Sequence, residues 1–121
     1  MTELSGTLDM GRLDELRDSV GGDHEFFAEL VDEFVADAPV QLEALRAALS
    51  SGDADSARRA AHTLKGTSRT FGAETLASLC QEVESAAAAG DLETGLARID
   101  GIDVEWVRVQ SELASLGARP T

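Results

Sequence analysis

Residues 54–71 have the sequence ADSARRAAHTLKGTSRTF, in which small apolar residues recur at the spacing of an α-helix. At about 100° per residue, this helix has one apolar face opposite His62. The residues on that face are Ala57, Ala60, Leu64, Ser68 and Phe71. The face around His62 is basic and carries Arg58, Arg59, Lys65, Gly66 and Arg69. Because a helix of this kind buries its small face against neighbouring helices, the stretch predicts a helical bundle.

Before this stretch, the sequence predicts two further helices. A short helix from Asp9 to Ser19 ends at Gly21-Gly22, and Asp23 is a suitable N-cap for the next helix. A long apolar stripe follows with a spacing of three and four residues. Its members are Phe27, Leu30, Val31, Phe34, Ala38, Leu42, Leu45 and Leu49. Because the stripe keeps its phase across Pro39, we predict one continuous, kinked helix rather than two helices.

After the stretch, Gly72 is a C-terminal stop, and two more amphipathic helices are predicted. The first carries Leu76, Leu79, Cys80, Val83 and Ala87 and ends at Gly90. The second begins near Asp91 and carries Leu92, Leu96, Ile99, Ile102, Trp106, Val109, Leu113 and Leu116. Connections of two to four residues between long helices imply antiparallel neighbours. The sequence therefore predicts an all-α protein, an antiparallel up-down four-helix bundle with a short extra N-terminal helix. We expect residues 1–121 to form a single domain whose core spans about residues 9–116.

The composition disfavours several classes of protein. The net charge of -13 disfavours binding to nucleic acid phosphates and to anionic membranes. No segment approaches the ~20 apolar residues of a membrane span, so we expect a soluble, cytoplasmic monomer. Cys80 is the only cysteine, which excludes a disulfide framework and favours a core residue.

Against this acidic background, four of the ten Lys and Arg residues lie between Arg58 and Arg69, around His62. A neutral imidazole presents a nucleophilic nitrogen near physiological pH. Gly66, in mid-helix, costs about 1 kcal/mol of helix stability relative to alanine, and close approach of a partner explains it better than packing does. The sequence has no Gly-rich phosphate loop and no carboxylate cluster on this face, so we expect no nucleotide, metal or cofactor of its own. The other histidine, His24, is predicted to be an ordinary surface residue.

The residues around His62 resemble the signature of a known family. Residues 62–68, HTLKGTS, followed by 71–73, FGA, are similar to the signature of histidine-containing phosphotransfer (HPt) domains. Residues 37–39, 52–53, 79–80 and 90–92 also resemble the family at the expected places. The resemblance covers about residues 9–116, and the phosphotransfer domain of chemotaxis-type kinases carries a similar stretch.

The resemblance implies a function and roles for the residues around His62. A phosphoryl group passes between His62 and an aspartate on a response-regulator receiver domain, with a sensor histidine kinase as the second partner. Lys65 is implied to stabilise the phosphate, and Gly66 to leave room for the receiver. Mg²⁺ is expected on the receiver, and the domain is a phosphocarrier without autonomous kinase activity.

Other polar residues are candidates for contacts around His62. Arg58, Arg59 and Arg69 are placed to meet acidic groups around the receiver's aspartate. Glu82 and Glu84 are interpreted as solvated helix residues, with Glu84 or Gln81 as an alternative candidate to contact the imidazole from the neighbouring helix, as a polar residue does in the family. Part of the apolar stripe of residues 27–49, near the first helix, is a candidate docking surface for the receiver.

Two alternatives remain open from the sequence. One is an HPt-like module that binds a receiver or kinase domain without carrying phosphate. The other is a hydrolase with His62 as general base, for which no nucleophile or orienting carboxylate is visible. The cognate partners, the direction of phosphate flow and the presence of further domains are not encoded in these residues.

Overall fold

The computed structural model describes residues 7–115, which fold into five α-helices. They are α1 (Met10–Ser19), α2 (His24–Ser51), α3 (Ala54–Thr70), α4 (Glu74–Ala88) and α5 (Leu92–Ser115). The long helix α2 and the helix α4 each pack against both α3 and α5, so the four longer helices form a ring in which α3 lies diagonally across from α5. The short helix α1 packs against α2 and α3. This arrangement confirms the predicted four-helix bundle with an extra N-terminal helix.

The helix ends follow the capping residues of the sequence. The Asp23 carboxylate accepts a hydrogen bond from the backbone N–H of Phe26 at 3.0 Å, and Asp53 accepts one from Ser56 at 3.1 Å. The helix α2 continues through Pro39, as the phase of its apolar stripe predicted. Helix α1 begins one residue later than predicted, because Asp9 is its N-cap.

The turn at Gly72 holds the extra helix against the bundle. The backbone N–H of Asp9 donates a hydrogen bond to the Gly72 carbonyl at 2.6 Å. Gly72 has a φ of 75°, and a Cβ there would lie 2.5 Å from the Asp9 carbonyl oxygen. Both the positive φ and the close approach require glycine, which explains the glycine of the FGA sequence at residues 71–73.

The core lies between the four longer helices, and aromatic contacts join α2 to the end of α3 and to α5. The ring of Phe34 stacks on Phe71 with centroids 4.5 Å apart, and it meets Trp106 edge-on at 5.2 Å. Cys80 is fully buried, as predicted, and burial raises the pKa of its thiol to about 12. Leu116, which the sequence placed on the stripe of the last helix, lies outside the described residues.

None of the helices within residues 7–115 is both long enough and apolar enough to cross a membrane. The cytoplasmic location expected from the sequence stays a prediction.

Glu105 is an acidic residue in the core and leads to a stability prediction. The Glu105 side chain is only 6% exposed, and its nearest cation among the described residues is Arg108, at 3.8 Å. Its Oε2 atom is buried and has no hydrogen-bond partner among the described residues. Burial raises the pKa of Glu105, with Arg108 opposing the shift and Glu112 adding to it. We expect Glu105→Gln to raise the free energy of unfolding near neutral pH by about 1 kcal/mol, because the neutral amide avoids burying a charge.

The pH dependence of this effect follows from linkage. A carboxyl group whose pKa is raised on folding stabilises the protein below the pKa of the unfolded chain, and this contribution is lost as the pH rises through the folded pKa. Urea unfolding at about pH 4 and about pH 8 should therefore show the advantage of Glu105→Gln growing with pH. An advantage that is absent at the higher pH would contradict the assignment.

Candidate functional site

Helix α3 presents His62 at the surface of the bundle. The imidazole is 65% exposed, while Ala57, Leu64 and Ser68 of the same helix are buried. The apolar face differs from the prediction in one position, because Ala61 is fully buried and Ala60 only partly. Lys65, one turn beyond Ala61, contacts Gln81 and Glu84 of α4, so this side of α3 faces α4.

A carboxylate on α4 orients the imidazole. His62 Nδ1 lies 3.1 Å from Glu84 Oε2, and the Glu84 side chain is 17% exposed. Burial tends to raise the pKa of Glu84, but hydrogen bonds from Lys65 and His62 outweigh it and hold the pKa below its usual range. Glu84 is therefore ionised at neutral pH and accepts hydrogen bonds only. It follows that Nδ1 carries the proton and that the lone pair of the neutral imidazole lies on Nε2.

Lys65 shares the same carboxylate. Its Nζ lies 2.7 Å from Glu84 Oε1 and donates a hydrogen bond to Gln81 Oε1 at 2.9 Å. The Lys65 side chain is only 12% exposed, so it lies along α4 rather than projecting into solvent with the arginines. An ammonium has three N–H donors, and these two contacts leave one for a further acceptor.

The sequence left the partner of the imidazole open between Glu84 and Gln81. In the structure, Glu84 contacts the imidazole, and both Glu84 and Gln81 contact the Lys65 ammonium. The imidazole contact is therefore made by Glu84, which the sequence offered only as an alternative to a solvated helix residue.

Gly66 lies one turn beyond His62 on the exposed face of α3. A Cβ built on Gly66 would have no atom within 4 Å beyond its own helix backbone, and its φ is an ordinary helical one. Within residues 7–115, neither packing nor backbone conformation therefore requires a glycine at this position.

Two of the three arginines share an acidic partner, and the third has none among the described residues. Arg58 and Arg59 both pair with the carboxylate of Asp55, at 3.1 and 3.0 Å. One negative charge thus faces two positive charges, and a net positive charge remains. Arg69 has no hydrogen bond or ion pair with any described residue, and it lies about two turns from His62 on the same side of α3.

An apolar depression lies between α2 and the C-terminal end of α3. Its lining residues are Leu30, Glu33, Phe34, Ala36, Asp37, Thr67, Thr70 and Phe71. On the same flank of α2, Phe26 is 45% exposed and Val40 is 61% exposed. Large exposed apolar side chains beside such a depression are typical of a protein-docking surface.

Within residues 7–115, no three side chains of His, Cys, Asp or Glu lie close enough together to hold a metal ion. His24 is exposed at the start of α2, away from His62, so the two histidines do not form a joint site.

Comparison with known proteins agrees with this fold. Residues 29–119 match the model of the Hpt domain family. The structure is similar to the crystal structure of histidine-containing phosphotransfer protein B (HptB) from Pseudomonas aeruginosa PAO1. The two have 33% sequence identity and a TM-score of 0.87, and the match covers 96% of this chain and 98% of that chain. A search of curated proteins gave no significant match.

The chain therefore belongs to the Hpt domain family, whose members are phosphocarrier modules of two-component phosphorelays.

Proposed function

We propose that His62 accepts a phosphoryl group and exchanges it with the aspartate of response-regulator receiver domains, with a sensor histidine kinase as the second partner. The observation that carries this proposal is the contact between His62 Nδ1 and Glu84 at an exposed imidazole. That contact leaves the nucleophilic lone pair on Nε2, on a side chain that a partner domain can reach.

In the transfer step, the Nε2 lone pair attacks the phosphorus of the receiver's aspartyl phosphate. The N–P bond forms as the bond between phosphorus and the aspartate oxygen breaks, and the aspartate leaves as a carboxylate. The imidazole keeps its Nδ1 proton and acquires positive charge, which the Glu84 carboxylate stabilises. The reverse step returns the phosphoryl group to an aspartate with the same atoms.

Charge is stabilised on the phosphoryl side as well. The negative charge of the transition state is spread over the equatorial oxygens, and the free N–H of Lys65 is available to meet them. Lys65 also keeps Glu84 ionised and in position. The Mg²⁺ ion and the aspartate belong to the receiver, and the domain needs no nucleotide site of its own.

The receiver would dock over α3 and the adjoining flank of α2. The bare helix surface at Gly66 permits close approach, and the depression beside Phe34 accepts apolar side chains. Arg58, Arg59 and Arg69 provide positive charge to meet the acidic groups around the receiver's aspartate.

The proposal is tested by mixing the purified protein with a panel of phosphorylated receiver domains and Mg²⁺, followed by intact-mass spectrometry. We expect an acid-labile adduct of one phosphoryl group with at least one receiver. A receiver that binds the protein without forming an adduct would instead support the binding-only alternative.

Lys65 and Glu84 are expected to act partly as a unit. We expect Lys65→Met to slow transfer by on the order of tenfold to a hundredfold, because it removes a charged donor to the phosphoryl oxygens and one partner of Glu84. Glu84→Gln is expected to slow transfer as well, since a neutral amide stabilises the imidazolium less. Single-turnover transfer from a phosphorylated receiver measures both rates.

The double variant separates the two roles of Lys65. If Lys65 acts only by holding Glu84, Lys65→Met will have no further effect in the Glu84→Gln background. Because one donor of Lys65 is left for the phosphate, we expect a reduced but remaining effect. Transfer rates that are unchanged in Lys65→Met would remove Lys65 from the mechanism.

A further inference from the structure

The outer face of α5 lies on the far side of the bundle from His62. Helix α5 packs against α2 and α4 and lies diagonally across from α3, so its solvent side points away from the phosphotransfer face. We define this α5 outer face by Ala97, Asp100, Gly101, Val104, Val107 and Arg108. Val104 and Val107 are 58% and 63% exposed, and no helix within residues 7–115 covers them, although Thr7 lies beside Val107 and Arg108 at the edge of this face.

Gly101 gives the α5 outer face a second unusual property. It lies in the middle of the helix, where glycine lowers helix stability relative to alanine. A Cβ built on Gly101 would have no atom within 4 Å beyond its own helix backbone. As at Gly66, nothing within the described part of the chain requires the side chain to be missing.

The charges on the α5 outer face are balanced, unlike those of the whole chain. The protein has 23 acidic residues and a net charge of -13, yet these six residues include one acid and one base. Asp100 lies four residues before Val104 and Arg108 lies four residues after it. The face is therefore self-complementary about Val104 when a second copy runs antiparallel.

We propose that the α5 outer face binds a second copy of this chain, with the two α5 helices antiparallel around a two-fold axis near Val104. In an isologous contact, each residue meets its counterpart at an equal distance on the other side of the axis. Arg108 of each copy then lies level with Asp100 of the other copy, which gives two opposite-charge pairs. The bare backbone of Gly101, beside Asp100, leaves room for the long arginine side chain.

Neither Asp100 nor Arg108 is held in a short ion pair by the described residues, and Asp100 has only a longer-range attraction to Arg46. Arg108 is 66% exposed, and its contact with Glu105 is long, at 3.8 Å. A single helix face buries less area than a standard stable interface, so the dimer is weak and depends on concentration. Both His62 side chains point away from the interface, and the dimer offers two phosphoacceptors. This assembly differs from the monomer expected from the sequence.

Sedimentation equilibrium of the full chain from about 10 μM to about 1 mM tests the proposal, since weak interfaces dissociate within this range. We expect the weight-average mass of the wild type to rise towards that of a dimer. Val104→Glu is expected to remain monomeric across the range. Arg108→Asp should weaken association by about tenfold, because it replaces two attractive pairs with two repulsive ones.

The charge-swapped protein, with Asp100→Arg and Arg108→Asp together, tests whether these two residues pair across the interface. It restores both opposite-charge pairs with the positions exchanged, and we expect it to associate more strongly than Arg108→Asp. Circular dichroism and thermal unfolding of each variant establish that it is folded, as expected for substitutions on an exposed face. A wild type that stays monomeric at the highest concentration, or a dimer that Val104→Glu does not weaken, would overturn the proposal.

Discussion

The His62→Gln protein is expected to take up no phosphoryl group from any receiver that phosphorylates the wild type. A glutamine amide has no nucleophilic nitrogen, whereas its N–H₂ group can still donate a hydrogen bond to Glu84. Because the imidazole is 65% exposed, we expect the free energy of unfolding to change by less than about 1 kcal/mol. Intact-mass spectrometry and the rate of receiver dephosphorylation measure the loss.

His24→Gln is the matched control, because His24 is also exposed and on a helix. It should accept phosphate as the wild type does. An adduct that persists in His62→Gln but disappears in His24→Gln would move the phosphoacceptor to His24. If His62→Gln still binds the receiver with wild-type affinity, the lost step is the chemistry rather than the docking.

The helices were predictable because each one carries its own signals. The apolar spacing places the helical segments, and Asp23, Gly52 and Asp53 mark their ends through capping and a left-handed turn. The phase of the stripe across Pro39 was sufficient to predict one continuous helix. The contact between Asp9 and Gly72 was not predictable, because it joins distant parts of the chain through their backbones.

The functional site was predictable only within its own helix. The pattern of α3 identified His62 and Gly66 as exposed, but it also treated Lys65 as a projecting cation. An isolated helix does not reveal how far its neighbour covers it, and α4 encloses the Lys65 side chain through Glu84 and Gln81. The buried position of Glu105 was missed for the same reason, since it depends on the packing around α5.

Side chains at Gly66 are expected to impair transfer in proportion to their size while leaving the free protein folded. Gly66→Ala should raise the free energy of unfolding by about 1 kcal/mol, because alanine favours the helix and nothing lies within 4 Å of its Cβ. Gly66→Leu should also fold, since its side chain extends into solvent. Both variants should weaken receiver binding and slow transfer, with leucine causing on the order of a hundredfold loss in kcat/KM because a 1 Å displacement of the reacting groups is sufficient for that.

A small phosphoramidate donor separates docking from chemistry in these variants. Such a donor reaches the exposed imidazole without a protein interface, so Gly66→Leu should react with it at the wild-type rate, whereas transfer from the receiver falls. If leucine slowed both reactions equally, Gly66 would be affecting His62 itself, through the orientation set by Glu84, rather than the approach of the partner. If it slowed neither, the glycine would have no role in docking, and the helix stability lost at this position would need another explanation.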